Sequence, residues 1–289
     1  MDALALIAVS ALWGASFLLM RITVPVLGPV ILAESRVLIA GLVLLGVAAA
    51  TRVKLEFWSR LKPYLVLGLL NGALPFTLIS AAELHLSASV AVILNATTPL
   101  FGALFSSVWR VELMTSRKWL GLLVGFVGIG VLVGWNPAQL DTASIWSVVA
   151  SLVAAAGYGA VNVYTKVNLQ GVSPIALATS SQLTAAAMLL PLIPFVPLRA
   201  PPSALVLICT LILAVFCTAV ARVLHFRLII NIGPVGAALT TYLAPGFGII
   251  WGWMFLQETP SAQTLAGLAL ILSSLTLVLK SPARKVLAV

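Results

Sequence analysis

Long apolar segments separated by short polar ones dominate the pattern along this chain. Breaks at charged, Pro, Asn and Gly positions leave ten apolar runs, near residues 4–23, 29–50, 61–82, 87–108, 118–135, 144–165, 174–198, 203–225, 233–256 and 262–280. Each run is close to the roughly 20 residues with which a helix crosses a bilayer core. The alternation typical of barrel strands is missing, and only helices then satisfy the backbone in lipid. We therefore predict an all-α integral membrane protein with ten transmembrane helices.

The composition supports a membrane protein and argues against a nucleic-acid partner. Apolar residues make up 62% of the 289 positions and charged residues 8%, and a soluble domain of this size needs more charge on its surface. The net charge of +9 is spread over short gaps and forms no basic patch interleaved with aromatics, which excludes a nucleic-acid site. Asp2 precedes the first run where a secretory leader has basic residues, so we predict that this run is a retained span.

The distribution of basic residues predicts the orientation in the membrane. Arg21 and Arg199 lie in gaps on one side, and Arg36 lies inside the second run. The gaps on the other side hold the remaining thirteen of the sixteen basic residues: Arg52, Lys54, Arg60, Lys62, Arg110, Arg117, Lys118, Lys166, Arg222, Arg227, Lys280, Arg284 and Lys285. The positive-inside rule then places both termini in the cytoplasm, which requires an even number of spans.

The two halves of the chain align with each other at an offset of roughly 145 residues, in the manner of an internal repeat. Matching segments are Ala11–Ala15 with Ala156–Ala160, Gly28-Pro29 with Ser173-Pro174, Thr98–Phe101 with Ala244–Phe247, Glu112 with Glu258, and Gly121 with Gly267. A half with five spans is followed by a copy that enters the membrane the other way up. We predict two inverted five-helix repeats, residues 1–140 and 141–289, an architecture that lets one site face either side.

The chain resembles the EamA family of the drug/metabolite transporter superfamily, most closely its YddG-type bacterial exporters of aromatic amino acids. The resemblance rests on Leu12–Phe17, Arg36, Asn95–Phe101, and Glu112 followed by Trp119-Leu120-Gly121. It implies a bacterial inner-membrane transporter that works by alternating access, with spans one to four and six to nine around a cavity and spans five and ten peripheral. Ser181 or Gln182 replaces Arg36 in the second half, and Val111 and Gln257 replace the family's Gly before the loop Glu. The halves are thus expected to contribute different groups.

Polar and aromatic residues deep in the spans are the candidate binding residues, because a wet cavity must replace the hydration shell of the solute. Interhelical hydrogen bonding is the competing role for the polar ones and lipid-facing packing for the rings. The predicted substrate-binding residues are Trp13, Phe17, Asn71, Asn95, Thr98, Tyr158, Asn162, Gln182 and Tyr242.

Prolines, one carboxylate and one histidine are candidates for gating and coupling. Pro99 and Pro245 are aligned in the two halves, and equivalent helix interruptions point to a central site, although static kinks are the alternative. His85 is a candidate gate residue or a solvated loop edge. Glu34 lies inside the second run and is a candidate for proton uptake, with snorkelling or a structural partner as the alternative.

Small-residue spacing predicts close packing of the fifth span. Gly121, Gly125, Gly130 and Gly134 lie at small-xxx-small or similar intervals. Cys209 and Cys217 lie about 12 Å apart along one helix, too far for a disulfide. The two histidines and two cysteines form no metal-ligand spacing, and we predict neither a metal nor another cofactor.

These patterns predict a transporter that exports amino acids, aromatic and other neutral ones, or related metabolites; its partners are this small solute and the bilayer. A cationic drug is the alternative cargo. An anionic cargo should require several deep cations, and only Arg36 qualifies in the sequence. An intramembrane enzyme would need a reacting pair, for which Glu34 with His85 is the one conceivable choice, so we do not expect an enzyme.

Overall fold

The structure, a computed structural model, describes residues 2–133, 141–237 and 239–279. Within these ranges every regular element is helical, which confirms the all-α prediction. Nine of the described helices are long and apolar enough to cross a membrane, and a shorter apolar helix covers Ala262–Val278. We number them α1 Asp2–Leu27, α2 Pro29–Ala50, α3 Leu61–Ala82, α4 Ala88–Val108, α5 Ser116–Val133, α6 Thr142–Asn168, α7 Pro174–Phe195, α8 from Ala204, α9 Leu239–Leu256 and α10 Ala262–Leu279.

Local sequence signals set where several helices begin. Pro29 and Pro174, which the repeat aligns, each occupy the first turn of a helix, where the missing N–H of proline costs nothing. The Ser87 and Ser203 hydroxyls cap α4 and α8 by accepting hydrogen bonds from the backbone N–H three residues on. Gly28 alone separates α1 from α2, and its φ of 77° lies in the left-handed region that glycine adopts without strain.

The outer surface of the bundle is apolar. Leu207, Ile208 and Leu211 on α8 are each more than half exposed, as are Leu123 and Val127 on α5. A water-soluble protein rarely exposes such continuous apolar surface, whereas lipid solvates it. The surface chemistry therefore fits a bundle surrounded by a bilayer.

The principal contacts between helices occur in equivalent pairs. Each has a counterpart when every helix is replaced by the one at the same position in the other half, α1 by α6, α2 by α7 and so on to α5 by α10. The contacts α1–α9, α1–α8 and α2–α8 correspond in this way to α6–α4, α6–α3 and α7–α3. The contacts α2–α7 and α5–α10 map onto themselves. Close crossings obey the same rule, because a Cβ added at Gly14 would lie 2.7 Å from the Gly248 nitrogen and one added at Gly159 would lie 2.6 Å from the Gly102 nitrogen.

Helix α8 extends past its predicted end. It consists of Ala204–Ala214, a π-helical segment Val215–Val220, and Ala221–Ala237. The predicted break between residues 225 and 233 is therefore wrong, since a fall in hydropathy marks polar surroundings and does not by itself end a helix. The assignment of Arg222 to an inside gap is also wrong, because Arg222 lies within the apolar span Ala204–His225.

The structure shows equivalent helix irregularities in α3 and α8, whereas Pro99 and Pro245 lie in different local structure; their role in gating stays a prediction. The helix of α4 ends at Asn95 and restarts at Thr98, just before Pro99. Pro245, by contrast, lies inside the continuous helix α9. The segments Leu69–Ala73 of α3 and Val215–Val220 of α8 are both π-helical and begin at nearly the repeat offset. Pro75, in the first turn after the first of them, cannot donate the backbone hydrogen bond that regular helix requires.

Helix α5 packs closely against α10 through several of its glycines, but not through every glycine that the sequence predicted. A Cβ at Gly121 would lie 2.6 Å from Val278 Cγ2 and 3.0 Å from the Ser274 carbonyl oxygen. Gly125 and Gly128 also face α10, whereas Gly130 has open space around it, so its predicted packing role is wrong. Gly134 lies outside the described residues. Small residues thus allow the two helices to approach closely along one face.

Candidate functional site

Arg36 is buried in a contact layer between α2, α3 and α8. Only 5% of the residue is exposed. Its Nε donates a hydrogen bond to Thr218 Oγ1 at 2.7 Å, and its Nη1 donates to Met20 Sδ at 3.3 Å. The guanidinium carbon lies 3.8 Å from the centroid of the Phe76 ring, a cation–π contact. Arg36 therefore joins α2 to α8 and lies over a ring of α3.

Arg222 joins α8 to α3 one helical turn beyond Thr218. Its Nη1 donates to Asn71 Oδ1 at 3.1 Å. Its Nε is buried and has no partner among the described residues. Thr218, the partner of Arg36, lies four residues before Arg222 on α8. The Phe76 ring beneath Arg36 lies 6.5 Å from the Tyr158 ring. Two guanidinium groups and a phenol therefore share one polar layer within the apolar bundle.

The π-helical segments supply hydrogen-bond partners to both arginines. Asn71 lies in Leu69–Ala73 and Thr218 lies in Val215–Val220. Thr218 Oγ1 also donates to the carbonyl of Leu213, five residues earlier, at 2.9 Å. A π turn inserts one residue into a helix and redirects the side chains that follow, and such turns are frequent at functional sites. The two segments belong to helices at equivalent positions in the two halves, and the Arg222–Asn71 hydrogen bond joins those helices.

Neither arginine forms an ion pair within the described ranges. The ion pairs found there join Glu56 to Arg60, and Glu112 to Lys118 and Lys166. Glu83 is the carboxylate that acts electrostatically on Arg36. A cation inside a membrane span is costly unless it has a partner or faces water, and such residues mark solute paths.

The predicted aromatic residues divide between this layer and the packed core. Tyr158 of α6 contacts Phe76 with ring centroids 6.5 Å apart. Trp13 of α1 lies 4.8 Å from the His225 ring, one turn past Arg222. Phe17, by contrast, is buried in the main hydrophobic cluster, and Tyr242 packs beside Leu100, Leu122 and Leu275 away from the layer.

The predicted polar residues are also spread over several environments. Asn71 belongs to the layer, as described above. Gln182 is fully buried and donates from Nε2 to Ser181 Oγ at 3.2 Å, while its Oε1 has no partner among the described atoms. Asn95 lies at the break in α4, where its carbonyl accepts from Thr98 Oγ1 at 2.8 Å. Asn162 is exposed on α6.

Two buried carboxylates lie in the bundle, and the sequence singled out only one of them. Glu34 on α2 is buried, and neither carboxylate oxygen has a partner among the described residues. The same holds for Glu83, which follows α3 directly and is completely buried. Arg21 Nη1 donates to the Glu83 backbone carbonyl rather than to its carboxylate. His85, two residues on, is exposed to solvent.

Glu112 and Glu258 each connect one half of the chain to the other. Glu258 follows α9 and accepts hydrogen bonds at the start of α4, from the Ala88 nitrogen at 2.9 Å and from Ser89 Oγ at 2.7 Å. Glu112 follows α4 and accepts from Lys166 Nζ of α6 at 3.1 Å and from Lys118 Nζ at 3.0 Å. The carboxylates therefore join the halves at two separate places.

Arg222 and Glu83 are the residues of this region that sequence reasoning missed. Both lie at the end of an apolar run, where a charge resembles a membrane boundary. The repeat offset of about 146 places Arg222 over Phe76, but only the structure shows that this ring stacks on Arg36, so the alignment by itself gave no signal for Arg222.

Comparisons with known proteins point to one family. The model of the EamA-like transporter family matches residues 1–134 and again residues 145–280. The uncharacterized transporter YvbV of Bacillus subtilis is 29% identical over 288 residues, covering 96% of this chain and 92% of that protein. The uncharacterized inner membrane transporter YedA of Escherichia coli is 26% identical over 280 residues, covering 95% and 89%.

Two further similarities concern an exporter and a solved structure. A probable terminal-alkyne amino-acid exporter of Streptantibioticus cattleyicolor is 24% identical over 281 residues, covering 95% of this chain and 92% of that protein. A solved crystal structure aligns over 96% of each chain with a TM-score of 0.67 at 18% identity, which establishes similarity of fold alone. Because the family model matches nearly the whole chain and the described helices are of membrane-spanning length, this protein belongs to the EamA-like transporter family and is a multi-pass membrane transporter.

Proposed function

We propose that this transporter exports amino acids, aromatic and other neutral ones, or related metabolites across a bacterial inner membrane by alternating access. The site lies in the polar layer formed by Arg36, Asn71, Tyr158, Thr218 and Arg222. Two inverted five-helix repeats, residues 1–140 and 141–289, rock about this layer. Both termini lie in the cytoplasm, as the basic residues of the gaps favour.

The observation that carries the proposal is the polar layer itself. Its hydrogen bonds run between α2 and α8 and between α8 and α3, so both halves contribute to it. The twofold family match and the exchangeable helix contacts support a repeat with one site at its centre. The amino-acid cargo draws support from the terminal-alkyne amino-acid exporter among the similar proteins.

Efflux from proteoliposomes tests the proposal. Vesicles containing the purified protein are loaded with labelled L-phenylalanine or L-alanine, and efflux is followed with and without a proton gradient. We expect protein-dependent efflux of both solutes. Asn71→Ala should slow efflux at least about tenfold, because Arg222 then loses the partner that positions it. One hydrogen bond to a charged group contributes about 1.5–3 kcal/mol, which corresponds to a change of this size.

Leu69→Ala is the matched control for this variant. Leu69 lies in the same π-helical segment but is 44% exposed on the outside of the bundle. We expect its transport to equal that of the unaltered protein. Efflux no faster than in empty vesicles, for every amino acid tested, would refute the proposed cargo.

A further inference from the structure

Arg36 and Arg222 are contributed by opposite halves, and each forms a hydrogen bond with a residue of the other half. Arg36 of α2 binds Thr218 of α8, and Arg222 of α8 binds Asn71 of α3. Thr218 and Arg222 are one turn apart on α8, so these contacts hold both guanidinium groups in the same layer, beside the rings of Phe76 and Tyr158. Two like charges have thus been brought together inside an apolar bundle.

The protein itself provides little negative charge to this pair. Each of the described ion pairs lies away from the layer and involves neither arginine. Glu83 acts on Arg36 electrostatically, but it is also influenced by Arg21 and by Glu258. One shared carboxylate beyond ion-pair distance leaves two neighbouring cations undercompensated, and that arrangement favours an anion between them.

Hydrogen-bond donors also remain available. A guanidinium carries five N–H groups. In the described part of the chain Arg36 uses two of them, for Thr218 and Met20, and Arg222 uses one, for Asn71. The Arg222 Nε is buried with no partner there. A planar guanidinium fork matches the oxygens of a carboxylate or phosphate, whereas it repels a cation.

We propose that Arg36 and Arg222 together bind the anionic group of the transported solute, a carboxylate on an apolar or aromatic body. This inference rests on the proposed function and specifies the chemistry of its site. The rings of Phe76 and Tyr158, 6.5 Å apart at their centroids, lie beside the pair and suit an aromatic body. The sequence made an anionic cargo improbable because Arg36 was the single deep cation, and the position of Arg222 removes that objection.

Binding to the purified protein in detergent tests the inference without requiring transport. The probes are 3-phenylpropionate, phenyl phosphate and phenethylamine, which share a phenyl body and differ in the charged group. We expect 3-phenylpropionate to raise the melting temperature in a saturable manner and phenethylamine to have no effect. Stronger binding of phenyl phosphate than of 3-phenylpropionate would contradict the assignment to a carboxylate.

Variants at the two arginines assign the effect to them. Arg36→Gln and Arg222→Gln should each weaken 3-phenylpropionate binding at least tenfold, and Arg199→Gln, at an exposed arginine outside the layer, should leave it unchanged. Arg36→Lys and Arg222→Lys preserve the charge; they should fold even where a Gln variant does not and weaken binding severalfold. Unchanged affinity in the Lys and Gln variants, or equal binding of phenethylamine, would overturn the inference.

The two proposals fail in different ways. Binding that depends on the carboxylate and on both arginines, without any efflux from proteoliposomes, would contradict transport and leave the anion site standing. Efflux of L-phenylalanine that is unaffected by the arginine variants and is inhibited equally by 3-phenylpropionate and phenethylamine would contradict the anion site and leave transport standing.

Discussion

Glu112 and Glu258 hold aligned positions in the two halves but have different partners. Glu258 accepts hydrogen bonds from backbone and side-chain groups at the start of α4, whereas Glu112 forms ion pairs with Lys118 and Lys166. Burial alone would raise the pKa of Glu112, but the hydrogen bonds from Lys118 and Lys166 act in the opposite direction and hold its pKa below the usual value. The ionised form of Glu112 therefore contributes to stability.

Acidification should remove the contribution of Glu112. Because its pKa is lower in the folded protein, this stability is complete above the ordinary carboxyl range near pH 4–5 and is lost as the pH falls through the folded pKa. At neutral pH we expect Glu112→Gln to lower the free energy of unfolding by about 0.5–1 kcal/mol, and the difference from the unaltered protein should shrink at about pH 3.5. Thermal unfolding in detergent at several pH values measures it.

An exposed ion pair provides the comparison for Glu112. Glu56 and Arg60 form an ion pair with side chains 54% and 36% exposed, so solvent screens it. Glu56→Gln should leave the melting temperature nearly unchanged at every pH. An equal fall in melting temperature in the Glu56 and Glu112 variants would show that the bonds to Lys118 and Lys166 stabilise the protein no more than an exposed pair does.

Single residues could be predicted from the sequence where their type alone is informative. Arg36, Asn71, Trp13 and Tyr158 stood out as polar or ring-bearing groups deep in apolar runs, and the structure brings Arg36, Asn71 and Tyr158 into one layer, with Trp13 beside it against His225. Arg222 did not stand out, because a long basic side chain at the end of a run normally reaches the membrane surface. Its inward position depends on the course of α8, which hydropathy does not report.

Helices as elements were predictable, but their internal irregularities were not. Apolar length and turn residues located the spans, since lipid leaves the backbone few alternatives. The π-helical segments of α3 and α8 depend on how the helices pack against one another, and Pro75 was the one local sign of them. Proline positions alone therefore did not indicate the π-helical pair, since the sequence drew attention to Pro99 and Pro245 instead.

The glycine face of α5 yields a prediction at the scale of elements. Gly121→Ala would place a Cβ 3.0 Å from the backbone oxygen of Ser274 on α10, whereas Gly130→Ala places it in open space on the same helix. We expect the first to destabilise the protein by about 1–3 kcal/mol through overpacking. The second should be neutral or slightly stabilising, because alanine favours the helix.

Melting temperatures of the two glycine variants in detergent provide the measurement. The pair is matched in substitution, in helix and in apolar surroundings. Equal melting temperatures for Gly121→Ala and Gly130→Ala would show that α5 and α10 are not closely packed along this face.

In the whole molecule, the principal helix contacts are equivalent when corresponding helices of the two halves are interchanged. Contacts, close glycine crossings and π-helical segments each recur with helix numbers shifted by five. The polar layer departs from this regularity, because Arg36 aligns with Gln182 and Arg222 aligns with Phe76. Under the proposed alternating access, a scaffold of two repeats with one non-repeated site would let two openings, related by a pseudo-twofold axis, serve a single solute.

Accessibility of the polar layer to water from each side of the membrane tests this account most directly. The experiment places a cysteine at Tyr158 in a protein carrying Cys209→Ser and Cys217→Ser, and exposes vesicles of both orientations to a charged, membrane-impermeant thiol reagent. Val153→Cys, on the same helix but 44% exposed on the apolar exterior, is the control and should not react in lipid. We predict that Tyr158→Cys is modified from both sides and is protected by L-phenylalanine; modification from one side only, or from neither, would contradict the account.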